Sequence, residues 1–262
     1  MKGNKGQHYL KNLNVLAAED NEFNQLILIA QSKELGFDMI ISNNGKEALQ
    51  MLKDNDFDLI LMDINMPVMD GFEAVKKIRT SFPAPKNEIP IIAITAYGLM
   101  YDREQALEAG MNEYIAKPFS LDELKQTICK VLGISDCNEI TQESVKNNEK
   151  SIIFDLTEIR EIYNHQDHLV KKTVETFIKN TKEGFEKISK TIHNNIPETL
   201  KTLHKIKSSF PYLGMNQAYE ELLEIEKNLK TEIDIEESKD RLIDFKIMLS
   251  DVYPKLKREI GE

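Results

Sequence analysis

The sequence predicts a doubly wound α/β domain with a five-stranded parallel sheet, followed by an all-α domain built as an antiparallel four-helix bundle. Two observations carry this. Over residues 14–132, short apolar runs alternate with amphipathic stretches, as expected of strands buried on both faces beneath helices. Beyond residue 155 the strand pattern stops, and apolar residues recur at steps of three, four and seven. The change of period places one domain at 1–133, a linker at 134–152 and a second domain at 153–262.

The strands are read first from runs of four to six residues: Asn14 to Ala18, Asp38 to Ser42, Asp58 to Met62, Pro90 to Thr95 and Glu113 to Ala116. Helical patterns fall between and after them, near 21–35, 45–53, 71–80, 99–109 and 120–132. Gly36 and Gly110 mark two helix ends, and Asp122 and Glu123 complement the dipole in the first turn of the fifth helix. The linker is rich in Asn, Glu, Ser and Lys. As a flexible coil, its ends would lie roughly 25 Å apart on average.

In the second domain, Val170, Val174, Phe177, Phe185, Ile188 and Ile192 form one narrow seam. Ala218, Leu222, Ile225 and Leu229 form another, and Leu242, Phe245, Leu249, Val252 and Leu256 a third. Seams of this width suit helices packed lengthwise. A shorter helix near 197–211 makes the fourth, with a small lead-in helix near 155–163.

Bulk properties exclude several classes. The longest apolar stretches, such as Leu26 to Ala30 and Ile89 to Ala96, are too short to span a bilayer. The first 13 residues lack the apolar core of a secretory signal. A net charge of −10 argues against broad nucleic-acid binding. Cys129 and Cys137 match no zinc or redox spacing and read as two reduced thiols in a cytoplasmic protein.

Ligand sites of an open parallel sheet collect at the carboxyl ends of its strands. Glu19 and Asp20 follow the first strand, Asp63 the third, Thr95 the fourth, and Lys117 with Pro118 the fifth. Three carboxylates without His or Cys favour a hard ion such as Mg²⁺. A carboxylate nucleophile with a lysine and a hydroxyl to hold phosphoryl oxygens suits phosphoryl transfer. Singly, each residue would more often be a turn, a cap or a surface charge; the set at one edge points to chemistry.

These residues resemble the response-regulator receiver family, through Glu19-Asp20-Asn21, Met62-Asp63-Ile64-Asn65-Met66-Pro67-Val68-Met69-Asp70-Gly71, Ile94-Thr95-Ala96 and Lys117-Pro118-Phe119. The resemblance covers about half the chain and implies a flavodoxin-like (βα)5 fold. It implies Asp63 as phosphoacceptor, with Asp20, Asp63 and the Asn65 backbone carbonyl on Mg²⁺ and Glu19 acting through water. Thr95 and Lys117 would contact the phosphoryl group, Tyr114 would move with Thr95 on activation, and the Lys117–Pro118 bond would be cis.

Of five histidines, His8, His165, His168 and His193 lie among polar residues. His204 lies just off the stripe formed by Leu200, Leu203, Ile206 and Phe210, with Lys207 and Ser208 on its side of the helix. A partly exposed imidazole on a rigid helix can offer a ring nitrogen to phosphorus, with Lys207 balancing the phosphoryl charge. The run Leu203-His204-Lys205-Ile206-Lys207-Ser208-Ser209, ending at Leu213-Gly214, resembles the histidine-containing phosphotransfer domain. That family is a four-helix bundle carrying phosphohistidine, which would sit on His204. Ser208 stands where the family usually has Gly, and Pro211 should end or kink the helix.

No nucleotide signature is present, since Asn44-Gly45-Lys46 lacks the rest of a P-loop. Phosphate would come from an external sensor histidine kinase, other receivers or a small donor, with receiver-to-bundle transfer within one chain also open. The C-terminal part of a hybrid sensor histidine kinase is the alternative reading. A haloacid-dehalogenase-type phosphatase would need an Asp where Asn65 stands. A transcription factor would need a basic recognition helix, which the acidic stretches 215–232 and 234–250 do not supply. A helical scaffold remains if His204 is inert.

Overall fold

Five parallel strands in the order β2-β1-β3-β4-β5 form the sheet of the first unit in the computed structural model. The structure describes residues 10–95, 100–134 and 154–261, which fall into two compact units. The predicted linker lies almost wholly outside the described residues.

The strands are β1 Asn14–Ala18, β2 Asp38–Ser42, β3 Leu59–Asp63, β4 Ile91–Thr95 and β5 Glu113–Ala116. They alternate with α1 Glu22–Leu35, α2 Gly45–Asp54, α3 Gly71–Ser81, α4 Met100–Glu108 and α5 Leu121–Leu132. Every residue of β3 and β4 is buried, which is why their sequences read as unbroken apolar runs. Successive side chains serve opposite layers. Leu16, Ile60, Met62, Ile91 and Ala93 pack with Ala48, Leu52, Val75 and Ile78 of α2 and α3. Val15, Leu59, Leu61, Ile92 and Ile94 pack with Leu28 of α1 and Leu124 and Ile128 of α5.

Local chemistry starts the helices where the sequence indicates. The side chains of Asn21, Asn44 and Asp70 accept from the backbones of Phe23, Glu47 and Glu73. Ser120 and Glu123 form a reciprocal capping box on α5. The third strand begins one residue later than expected and takes in Asp63, which pairs with Ile94. Cys129, buried near the end of α5, is disulfide-bonded, which corrects the expectation of two reduced thiols. Pairing depends on where the chain travels after a helix, which cysteine spacing does not reveal.

The second unit is helical: α6 Thr157–Ile162, α7 Asp167–Thr191, α8 Ile196–Lys207, α9 Asn216–Thr231 and α10 Ile235–Glu259. Each of the four longer helices packs on the next, and α10 packs on α7. Phe177, Phe185, Phe210 and Phe245 meet inside, with Phe177 and Phe210 edge to face at 5.1 Å. α8 ends at Lys207, four residues short of the expected 211, and Pro211 opens a separate 3-10 turn to Leu213. α10 carries the third seam through Leu256 and runs to Glu259, with Pro254 inside it at an exposed position. Among the described residues, no helix is long and apolar enough to cross a membrane.

Candidate functional site

Chain order reverses direction at β1, which has β2 on one side and β3 on the other. This opens a crevice at the carboxyl ends of β1 and β3, where an α/β sheet places its ligands. Glu19 and Asp20 directly follow β1, and Asp63 ends β3. Glu19, Asp20 and Asp63 each offer an oxygen, all within 4.8 Å of one another. Nothing but oxygen is offered, so the set suits a hard divalent cation.

Lys117 comes into this cluster from the end of β5. Its Nζ donates to Glu19 Oε2 and to Asp63 Oδ2, at 2.5 Å each. Its backbone N–H donates to the Thr95 carbonyl at 2.6 Å, which ties the ends of β4 and β5 together. The Lys117–Pro118 bond is cis, as the resemblance implied. Thr95 is buried at the edge of β4, and Tyr114 is half-buried on β5 against the core. Asn65 is exposed, and its backbone N–H donates to Asp63 Oδ1 at 3.1 Å.

Glu19 is fully buried, and its Oε1 accepts from the Asn21 backbone and from Asn24 Nδ2. Burial pushes its carboxyl up to about 7, against the pull of Lys117 and with the help of Asp63 and Asp20. For Lys117, burial alone would favour the neutral amine, but Asp63 and Glu19 override it and raise its pKa. The edge holds more negative charge than one ammonium balances, which favours a bound cation.

In the helical unit, His204 sits on α8 with its side chain 16% exposed, and its Nδ1 donates to Glu226 Oε1 across 3.3 Å. Glu226, on α9, also takes an ion pair from Lys207, and another from Lys230 at 3.0 Å. Burial would raise the Glu226 carboxyl, but His204 and Lys207 hold it well below the usual carboxylate range. Lys207, three residues on from His204, is fully buried and ion-paired with the same Glu226 carboxylate. The ammonium pairing with Glu226 from solvent is that of Lys230, whose side chain is 44% exposed.

Glu226 and Lys230 were not singled out by the sequence. The available signal was a glutamate inside the apolar seam of Leu222, Ile225 and Leu229, where an acid needs a buried partner. His165, His168 and His193 make no comparable arrangement among the described residues, and His8 lies outside them.

The family model for the response regulator receiver domain matches residues 15–129. Sensor protein EvgS of Escherichia coli strain K12 is 32% identical over 160 residues, 60% of this chain and 13% of that protein. Hybrid signal transduction histidine kinase I of Dictyostelium discoideum is 35% identical over 148 residues, 53% of this chain and 8% of that protein. The aerobic respiration control sensor protein ArcB of Escherichia coli strain K12 is 31% identical over 144 residues, 55% of this chain and 18% of that protein. The chain thus spans less than a fifth of the length of these curated relatives. Among solved structures, the receiver domain of sensor histidine kinase PA1611 from Pseudomonas aeruginosa PAO1, with a magnesium ion in its active-site cleft, is 38% identical. That match covers 47% of this chain and 98% of that one, with a TM-score of 0.43. The receiver of Ssk1, in complex with Ypd1 from Saccharomyces cerevisiae, is represented by a match of 34% identity, 47% and 90% coverage and TM-score 0.42. Residues 15–129 are a response regulator receiver domain, homologous to the receivers of hybrid sensor histidine kinases.

Proposed function

We propose that the chain is a phosphorelay protein in which Asp63 accepts a phosphoryl group from a phosphohistidine and His204 carries one on an antiparallel four-helix bundle. The single observation behind the first step is the convergence of Glu19, Asp20, Asp63, Thr95 and Lys117 at one sheet edge. An Asp63 oxygen would attack phosphorus while the bond from phosphorus to the donor's imidazole breaks, leaving the imidazole to take up a proton. Lys117 and Thr95 would hold the phosphoryl oxygens. Asp20, Asp63 and the Asn65 carbonyl would hold Mg²⁺, with Glu19 through water, and the ion would neutralise phosphoryl charge.

The second step is supported by the His204–Glu226 pair. An ionised carboxylate on Nδ1 fixes the proton there, which leaves Nε2 as the nitrogen that takes phosphorus. Lys207, and with it Lys230 on the same carboxylate, would supply the positive charge that balances the phosphoryl group. Sensor histidine kinases and other receivers are the partners this chemistry fits. A second reading, that the chain is the C-terminal part of a hybrid kinase, is favoured by the sensor kinases among its relatives and by how little of their length it spans.

Incubation with acetyl phosphate or phosphoramidate and Mg²⁺, followed by acid and base treatment, tests both steps. Base-labile label lost in Asp63→Ala and acid-labile, base-stable label lost in His204→Ala are expected. Absence of the first removes Asp63 as acceptor; absence of the second reduces the helical unit to a scaffold.

A further inference from the structure

α1 connects the parallel strands β1 and β2, so it starts at the sheet edge that carries the acidic cluster and runs away from it. Its first turn serves that cluster: Asn24 Nδ2 donates to Glu19 Oε1 at 3.1 Å. Seven residues on, Gln31 falls on the same face of the helix. Its neighbours on that face are Leu28 and Leu35, which pack with Phe119, Leu124 and Ile128 on the α1–α5 side of the sheet. Gln31 is fully buried.

An amide in such a place needs its hydrogen bonds made. Gln31 Nε2 donates to the Phe119 carbonyl at 3.4 Å, across 88 residues of sequence. Its Oε1 is buried with no hydrogen-bond partner among the described residues. Leucine would fill a similar volume, continue the apolar face and leave no polar oxygen in it. The amide therefore weakens the core it sits in, and a buried group of this kind calls for another role. The group it holds is the Phe119 carbonyl.

That carbonyl belongs to the turn that delivers Lys117. Segment 117–120 is fixed at one end, where the Lys117 N–H donates to the Thr95 carbonyl, and at the other, where Ser120 enters the capping box of α5. Between them Pro118 has no N–H to offer. Gln31 reaches this middle stretch from α1, because helical side chains lean toward the helix N-terminus, which on α1 is the sheet edge. Lys117 Nζ then bridges Glu19 and Asp63. α1 thus holds both halves of the Glu19–Lys117 pair, Asn24 on the carboxylate and Gln31 on the turn behind the ammonium. We infer that Gln31 is a positioning residue of the receiver, which through the Phe119 carbonyl holds the Lys117 ammonium at Asp63 for phosphoryl transfer.

This rests on Asp63 as phosphoacceptor, and the experiment separates the two. Full-length His204→Ala chain is compared with the same chain carrying Gln31→Leu or Gln31→Met. One measurement is the rate of labelling by acetyl phosphate at saturating Mg²⁺. The other is the rate at which formaldehyde with cyanoborohydride methylates Lys117 in the metal-free chain, read by peptide mass spectrometry. Lys86, whose ammonium is held by the Leu52 and Asn55 carbonyls in the same unit, is the internal control. Both variants should label about fivefold or more slowly and methylate Lys117 about fivefold or more rapidly, with Lys86 at the parental rate. Parental labelling and parental Lys117 methylation in both variants would overturn the inference. So would slower labelling with Lys117 methylated at the parental rate, which would place the effect of Gln31 elsewhere. Equal acceleration at Lys86 would also overturn it, since the receiver would merely have loosened. A parent chain that takes no label removes Asp63 as acceptor, and the methylation comparison still decides whether Gln31 holds Lys117.

Discussion

Lys117→Met keeps most of the side-chain volume but removes the ammonium that bridges Glu19 and Asp63. The three side chains are 4%, 1% and 8% exposed, so solvent screens the pairs little. Removing one partner of a buried ion pair costs about 3–5 kcal/mol. Glu19 limits that loss by taking up a proton, since burial already pushes it up to about 7 and Lys117 is the principal group pulling it down. Its folded pKa lies above the ordinary 4.5, so protonation supports the folded state below about 4.5, and that support is lost as pH rises through 7. The difference corresponds to about 3 kcal/mol. Metal-free Lys117→Met should therefore be destabilised by about 3–5 kcal/mol at pH 8 and clearly less at pH 5.5. Pulsed hydrogen exchange on β3 and β4 peptides across a urea titration reads the receiver alone. A loss below about 1 kcal/mol at pH 8, or one equal at both pH values, would refute the reasoning.

Other outcomes follow from the same geometry. Magnesium affinity, measured by calorimetry, should fall between pH 8 and pH 6 as Glu19 takes up its proton, and this dependence should weaken in Glu19→Gln. Glu226 is held below its ordinary pKa, so its contribution to the helical unit is present above about 4.5 and lost as pH falls through its folded value. Glu226→Leu strands the buried Lys207 and should cost about 3–5 kcal/mol by urea unfolding, most of it recovered in the double variant with Lys207→Met. A Cβ on Gly184 would lie 2.6 Å from Ile206 Cγ2, so Gly184→Ala should cost about 1–3 kcal/mol in the same assay and less when combined with Ile206→Val. If Asp63 and His204 exchange phosphate within one molecule, mixed Asp63→Ala and His204→Ala chains should transfer far more slowly than the intact chain at micromolar concentration, because a flexible tether would hold the pair at about millimolar effective concentration.

The sequence by itself determined the α/β order, the strands to within a residue, and which residues gather at the receiver edge. Those strands are buried on both faces and their helices capped by local side chains, so pattern and punctuation record them directly. Glu19, Asp20, Asp63, Thr95 and Lys117 were legible because parallel strands deliver their carboxyl ends to one edge whatever the packing details. The tertiary structure decided what depends on contacts between distant segments. Lys207 and Glu226 are 19 residues apart and meet only because α8 packs on α9, a buried pairing that spacing along the chain does not show. Val68 reads as one apolar residue among many until the loop between β3 and α3 gives it a positive φ and leaves it in water. Local periodicity carries secondary structure and edge chemistry; which charges neutralise one another, and which side chain is left outside, is settled only when helices and loops from different parts of the chain compete for the same space.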